Sequence, residues 1–248
     1  MKNVYRIFWI IMAMTAVTAA SAQSIDDSNT SSLIFNSGIG IPLGDMRSGD
    51  VVDIFIDRDF QNGYGLSRIG FNFGIEYTLR KSELPIDVTG SIQAYSFSNS
   101  ETFTIQNFDT RSESTLKLTG RIYSFIAGIR LPVSLTPTSR FYFGAEPALN
   151  LITGKSYRNN SSQSKVKTSP RLGLNLRIGS EFLLSSKYFL DVSLKYQLAN
   201  LIGKSYDIES SNGSGLYLND GKNPDNPNDS DRNIHFFSFH LGAGFYFH

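Results

Sequence analysis

Two side chains that could carry out nucleophilic chemistry lie close together near the C-terminus. Ser238 and His240 are two residues apart, so in a β-strand both point to the same face. A serine that passes its proton to a histidine is the nucleophile of many esterases. Asp191 or Glu181 would have to orient the histidine, and the spacing places neither beside it. An esterase or acyltransferase is therefore an alternative, and the sequence predicts no catalytic residue.

Four aspartates lie in an Asn- and Pro-rich segment that precedes this pair: Asp220, Asp225, Asp229 and Asp231. Carboxylates and amides at such spacing could bind calcium, but the Asp-x-Asp-x-Asp-Gly order of an EF-hand loop is absent. A solvated surface loop is the favoured interpretation. The chain also has no cysteine, which excludes disulfides, thiol chemistry and cysteine-ligated zinc. We predict no metal and no cofactor.

The segment that carries Ser238 and His240 has the period of a strand with one apolar face. Ser238, His240, Gly242, Gly244 and Tyr246 alternate with large or apolar residues, which are Phe237, Phe239, Leu241, Ala243, Phe245 and Phe247. A wide aromatic face at the end of a chain is typical of a strand that contacts lipid rather than of a water-soluble sandwich. The other elements should then form a membrane barrel around it.

Eight segments show this alternation, and the linkers between them alternate in length. The predicted strands are residues 33–43, 68–80, 86–97, 115–133, 140–152, 171–183, 188–198 and 234–248. Three linkers are short (81–85, 134–139 and 184–187), and four are long (44–66, 98–114, 153–169 and 199–233). Outer-membrane barrels have short periplasmic turns and long external loops. The pattern predicts an all-β fold, an eight-stranded antiparallel up-and-down transmembrane β-barrel.

The N-terminus has the pattern of an export signal. Lys2 and Arg6 precede an apolar run over 7–20, and Ala20-Ser-Ala22 reads as a cleavage site. The run is too short for a spanning helix. We therefore predict a signal peptide over 1–22, a flexible lead over 23–32 and a barrel over 33–248. A net charge of only +1 argues against nucleic acid as a partner.

The alternation also predicts which charged side chains face the lumen. The expected lumen charge network is Arg68, Glu76, Arg80, Asp87, Arg130, Glu146, Arg177, Glu181, Asp191, Lys195 and His240, and Lys117, Arg121 and Arg171 are expected on the same face. Since side chains can fill the interior of an eight-stranded barrel, buried charges must pair. The prediction is a plug of ion pairs, and a narrow channel for small solutes is the alternative.

Several outward aromatic residues fall at the ends of strands next to the short turns. This predicted interfacial girdle comprises Tyr77, Phe141, Phe143, Phe182, Tyr188, Phe245 and Phe247.

Two strands depart from the simple pattern. The apolar phase of residues 115–133 slips midway, and a β-bulge near Ile122 would reconcile its halves. Pro147 interrupts the ladder of residues 140–152. The linker that follows is rich in Ser and basic, with Lys155, Arg158, Lys165 and Lys167, and could contact anionic lipopolysaccharide.

Three sequence features together resemble the outer-membrane β-barrel families of Bacteroidetes. They are the Ser-Ala-Gln23 signal end, Gly38-Ile-Gly-Ile-Pro-Leu-Gly-Asp45 and the terminal Gly242-Ala-Gly-Phe-Tyr-Phe247. These families include small barrels similar to PorT-like proteins. The resemblance implies a barrel in the outer membrane of a Gram-negative bacterium and an association with secretion.

The sequence thus predicts a non-enzymatic outer-membrane protein with a structural or interaction role. Its expected partners are outer-membrane lipid and lipopolysaccharide, the barrel-insertion machinery through the C-terminal strand, and a protein at the loops. An enzyme that modifies lipopolysaccharide and a small-solute channel are the alternatives.

Overall fold

The computed structural model describes residues 30–46, 69–81, 84–107, 110–136, 138–158, 162–206, 218, 220–222, 224–225 and 230–247. The strands are β1 (Thr30–Leu43), β2 (Gly70–Arg80), β3 (Asp87–Asn107), β4 (Thr110–Thr136), β5 (Ser139–Arg158), β6 (Ser162–Leu183), β7 (Tyr188–Ile202) and β8 (His235–Phe247). A single 3₁₀ turn, Gly44–Met46, follows β1. No helix among these residues is long and apolar enough to span a membrane.

The eight strands form one closed antiparallel barrel, as predicted. Every strand pairs with its neighbours in sequence, and β1 pairs with β8 from Ser31↔Phe247 to Leu43↔His235. Closure leaves no edge strand along the barrel wall, so the backbone groups of β1 and β8 satisfy each other. The last strand thus holds the first in register, and it fixes which residues of both point inward.

Burial alternates strictly along the strands and assigns one face to the lumen. In β2, every second residue from Gly70 to Arg80 is buried, while Phe71 and Phe73 are 71% and 65% exposed on the outer face. In β2 the large apolar residues therefore lie on the outside, and the polar and small residues lie on the inside. This is the reverse of a water-soluble protein.

The predictions that residues 98–114 and 153–169 form loops are wrong. Beyond Phe97, the last residue of β3 paired with β2, the strand continues to Asn107 and pairs only with β4. In the same way, β5 and β6 continue as a paired hairpin to Arg158 and Ser162. The four extended strands raise one side of the barrel above the other. These ladders were not predicted because backbone pairing by itself needs no alternation of large apolar residues.

The predicted bulge near Ile122 is also absent. The β3–β4 register runs without a shift from Asp87↔Arg130 to Asn107↔Thr110. Instead, Ile122 points into the lumen and is 2% exposed. The apolar residues of β4 change from one face to the other because the lumen is itself apolar at its long-loop end. A large side chain such as Ile122 can therefore lie on the inner face there while the backbone stays regular.

Pro147 lies within β5 and faces outward. The β4–β5 ladder is interrupted opposite it, between Ile126↔Ala148 and Ile129↔Ala145, and resumes in the same register. A proline has no N–H to donate, so it costs one ladder bond without shifting the strand. The strand predicted here is confirmed and extends further at its C-terminal end.

The N-terminal predictions fall largely outside the described residues. The signal peptide over 1–22 and most of the lead over 23–32 lie there, as do Arg68, Asp229 and His248. The last residues of the predicted lead belong to β1, which begins at Thr30.

The seam between β1 and β8 gives a direct test of closure. A Cβ on Gly38 would collide with the backbone carbonyl of Phe239, whereas a Cβ on Gly90 of β3 would meet nothing within 4 Å. We expect Gly38→Ala to lower the free energy of unfolding by about 1–3 kcal/mol through overpacking against backbone. Gly90→Ala, the matched control, should leave it unchanged or raise it by less than about 1 kcal/mol.

The measurement is thermal unfolding in detergent micelles, followed by circular dichroism. Equal melting temperatures for the two variants would contradict a tight β1–β8 seam.

Candidate functional site: the charged lumen

The lumen holds a balanced set of buried charges. Among the described residues, six cationic side chains are buried: Arg80, Arg130, Arg140, Arg171, Arg177 and Lys195. Six carboxylates are buried with them: Glu76, Asp87, Glu146, Glu181, Asp191 and Asp220. An unpaired buried charge is very costly. The equal numbers indicate that the interior is neutralised by pairing.

Glu76 is shared by two arginines at the centre of the barrel. Its two carboxylate oxygens pair with Arg130 and with Arg177. Arg177 also contacts Asp191, with 2.7 Å between Nη2 and Oδ1, and lies 3.7 Å from Glu146. One guanidinium thus links carboxylates from three other strands. These contacts cross the lumen and hold opposite walls together.

Tyr142 extends this network, although it was not predicted to be part of it. Its hydroxyl donates to Asp191 Oδ2 at 2.5 Å. Arg130 and Arg177 lie over its ring, 4.3 and 5.1 Å from the centroid. Cation–π contacts of this kind strengthen when water is excluded. Its inward position in β5 was the available signal, since a buried tyrosine hydroxyl needs a partner.

Further ion pairs continue the network toward both ends of the barrel. Lys195 Nζ lies 3.2 Å from Glu146 Oε2. Toward the short turns, Arg80 pairs with Asp87 at 3.1 Å and with Glu181 at 3.3 Å. Arg130 lies 3.6 Å from Glu181 and joins the two groups.

Ser238 and His240 do contact each other inside the lumen. Ser238 Oγ lies 2.8 Å from His240 Nε2, and His240 Nδ1 lies 3.4 Å from Asn36 Oδ1. A serine that contacts a histidine, which in turn contacts an asparagine, has the arrangement of a nucleophilic triad. However, Ser238 Oγ also accepts a hydrogen bond from Gln197 at 3.0 Å. Both Ser238 and His240 are 0% exposed, so the pair lies within the packed interior.

Apolar side chains cover the charged layer at both ends. On the long-loop side, a buried cluster comprises Met46, Tyr95, Phe97, Ile122, Ile152, Val166, Ala199, Leu218, Ile234 and Phe236. On the short-turn side, Ile34, Leu183 and Phe189 pack together with Tyr246 against them. The ion pairs therefore lie between two apolar layers.

Asp220 lies in the barrel mouth, which corrects its prediction as a solvated loop residue. Arg171 donates to both of its oxygens, Nε to Oδ2 at 2.9 Å and Nη2 to Oδ1 at 2.7 Å. Asn200 and the Ser205 amide also donate to it. Burial of this carboxylate against Arg171 ties the last linker into the mouth. No group of His, Asp and Glu in the described part of the chain could hold a metal ion.

The structure places most of the predicted lumen residues inside the barrel. Those that are buried are Glu76, Arg80, Asp87, Arg130, Glu146, Arg177, Glu181, Asp191, Lys195 and His240, together with Arg171. Lys117 and Arg121 were expected there and are exposed on the outer face. Their inward assignment followed from the mistaken phase of β4, so one error accounts for both. Arg140, the second residue of β5, is also buried and was not among the predicted lumen residues.

The predicted girdle residues lie on the outer face near the short turns. Tyr77 and Phe247 are 6.1 Å apart between ring centroids, and Phe141 and Phe143 are 4.8 Å apart. Tyr188 is exposed, whereas Phe182 and Phe245 are partly exposed. The aromatic side chains thus follow this end of the barrel over several strands.

No protein-family model and no curated protein matches the chain. Solved structures that are similar to it include the following three. Ail, the attachment invasion locus protein of Yersinia pestis, in complex with the heparin analogue sucrose octasulfate, is 13% identical, with a TM-score of 0.45 over 89% of this chain and 99% of Ail.

The second, Neisserial surface protein A, is 16% identical, with a TM-score of 0.44 over 88% of this chain and 95% of that one. The third, the N-terminal β-barrel domain of OprF from Pseudomonas aeruginosa, is 15% identical, with a TM-score of 0.37 over 91% of this chain and 100% of that domain. At such identities, the function has to be argued from the chain's own side chains.

Glu76 offers a test of the charge network. We expect Glu76→Gln to lower the free energy of unfolding by about 3–5 kcal/mol, because Arg130 and Arg177 lose their shared carboxylate in a buried site. Lys187→Gln, at an exposed lysine in a short turn, should change it by less than about 0.5 kcal/mol. Urea unfolding in detergent micelles measures both.

A double variant separates pairing from packing. Adding Arg130→Met to Glu76→Gln removes one of the two cations that Glu76 neutralised, restores the balance of buried charge and should recover part of the lost stability. If the losses in free energy of unfolding caused by Glu76→Gln and by Arg130→Met alone simply add in the double variant, the charges do not form a coupled network.

Proposed function

We propose that the chain is an outer-membrane β-barrel with a structural or interaction role and no enzymatic activity, exported by a signal peptide that ends near Ala22. The observation that carries this proposal is the apolar outer belt of a closed barrel. Each strand contributes at least one large exposed apolar residue: Ile39, Phe71, Ile92, Phe125, Phe143, Leu176, Leu194 and Leu241.

Such a belt is incompatible with free exposure to water. Soluble monomers rarely expose a contiguous apolar patch larger than a few hundred Å², and this belt surrounds the barrel. Lipid would cover it on every side, and a closed sheet leaves no backbone group unpaired in hydrocarbon. The aromatic residues near the short turns would then lie at the inner interface, where aromatic girdles occur.

The packed lumen favours a structural role over conduction. The ion pairs of Glu76, Arg130 and Arg177 cross its centre, and apolar clusters lie above and below them. A continuous water path would require these contacts to separate. The channel alternative therefore has less support than a closed barrel.

The external end supplies the surface for interaction. With the short turns on the periplasmic side, the extended hairpins of β3–β4 and β5–β6 project outward from the cell. A protein partner would meet this raised wall. On the other side, β8 with its terminal aromatic residues would be the segment read by the insertion machinery. The secretion association stays a prediction from the resemblance to PorT-like barrels.

Cell fractionation with gel electrophoresis tests the proposal. We expect the protein in the outer-membrane fraction, and an unboiled sample should migrate differently from a boiled one because a closed barrel resists SDS. In planar bilayers the purified protein should show no discrete conductance steps. Recovery from the soluble periplasmic fraction without a shift would contradict the membrane assignment. Conductance steps would support the channel alternative.

The Ser238–His240 contact keeps one enzymatic alternative testable. Because both side chains are fully buried beside Gln197, we expect Ser238→Ala and His240→Ala to leave the lipid A profile of the cell unchanged. Mass spectrometry of extracted lipid A measures this, with a deletion strain as the reference. An acyl or phosphate change that is the same in the variants and the deletion strain would establish a lipopolysaccharide-modifying enzyme.

A further inference from the structure

A group of basic side chains lies on the outer face of the extended hairpins. Lys117 and Arg121 of β4 and Lys155 of β5 share this face, since the register pairs Thr119 with Lys155 and Arg121 with Thr153. We call these three residues the basic face. Lys165 of β6 continues it and is the direct partner of Lys155. Four cations from three strands thus lie side by side.

Among the side chains that the structure describes, no carboxylate pairs with these four cations. None of the ion pairs in that part of the chain involves Lys117, Arg121, Lys155 or Lys165. Like charges directly opposite each other in a sheet are destabilising, and Lys155 opposes Lys165 in this way. An anion from outside the chain would remove that repulsion.

The basic face also surrounds a depression of about 420 Å³ on the outside of the wall. Thr119 and Tyr157 line it beside the three cations. Thr153 lines it as well, but its hydroxyl donates to the Val166 carbonyl at 3.0 Å. Hydroxyl and cationic donors around one cavity suit an oxyanion, because phosphate oxygens accept several hydrogen bonds at once. An arginine can bind a phosphate in bidentate fashion, and a lysine acts as a point charge.

The height of the basic face along the barrel identifies the source of the anion. The next outward residues below Arg121 and Thr153 are Tyr123 and Leu151, and Tyr123 is 39% exposed within the apolar belt. Two residues of strand span about 7 Å. The cations therefore begin where the belt ends, at the level of lipid headgroups. A lipid bound there would place its acyl chains against Phe125 and Leu149, which are exposed below.

We propose that the basic face binds the phosphorylated headgroup of an outer-leaflet glycolipid of the lipid A class. This inference rests on the proposed membrane location and deepens it by assigning a lipid partner to one wall of the barrel. Lys117, Arg121 and Lys155 hold the phosphate, and the belt residues beneath them contact the acyl chains. The raised β3–β6 wall is thereby anchored upright in the lipopolysaccharide layer.

Retention of lipid A by the purified full-length protein tests the site. The probe is bis-phosphorylated lipid A, compared with dephosphorylated lipid A that has the same acyl chains, and native mass spectrometry counts the lipid bound per barrel. We expect retention of the phosphorylated form only. The Lys117→Gln, Arg121→Gln and Lys155→Gln triple variant should retain it about tenfold less, because charge-assisted hydrogen bonds are lost.

The matched control changes the same number of charges elsewhere. Lys81, Lys187 and Lys222 are exposed away from the basic face, and their triple substitution by Gln should leave retention unchanged. Equal loss in the control would show a net-charge effect and would overturn the proposed site. Equal retention of the two lipid forms, or no retention by the unaltered protein, would do the same.

Two further measurements make each failure interpretable. Inorganic phosphate at millimolar concentration should not displace the lipid, and displacement would show that a free anion is the ligand. A boiled and unboiled gel of every variant reports whether its barrel has folded. If the triple variant does not fold, Arg121→Gln alone replaces it, and undiminished retention by that variant overturns the proposal. If the folded barrel does not retain lipid A, the proposed outer-membrane location is unaffected.

Discussion

The β1–β8 ladder is the interaction on which the rest of this structure depends. It joins thirteen residue pairs from Ser31↔Phe247 to Leu43↔His235 and turns an open sheet into a barrel. Without it, both strands would present unpaired backbone to lipid, which no membrane protein tolerates. Closure also fixes the two faces of the sheet, because a shift of one residue would send Phe239 inward and His240 outward.

Closure creates an interior that lipid cannot enter, and its charges therefore have to neutralise one another. Glu76, Arg130 and Arg177 do so across the centre, and Tyr142 links them to Asp191. A buried ion pair is weak evidence for stability, because desolvation offsets much of its attraction. Its stronger effect is on specificity, since other registers of these strands would leave charges without partners. The same network closes the lumen.

The two ends of the barrel are built differently. The short-turn end has no extended hairpin and carries the girdle aromatic residues. At the other end, the hairpins of β3–β4 and β5–β6 extend beyond the remaining strands. Arg171 and Asp220 tie the last linker into the mouth beside that wall. The outer face of the wall carries the basic residues. In the proposed orientation, this raised side of the barrel is the one that faces the cell exterior.

The amino-acid sequence by itself determined the closed barrel, its eight strands and most of the lumen set, because side chains that meet lipid or a packed interior alternate with period two. Tertiary structure decided what that alternation does not record. The hairpins beyond 97 and 153 form through backbone pairing outside lipid, where neither face requires apolar residues. Ile122 faces inward because an apolar cluster receives it, and this moves Lys117 and Arg121 outside. The pairing of Arg171 with Asp220 joins residues 49 positions apart, and only the folded chain brings them together.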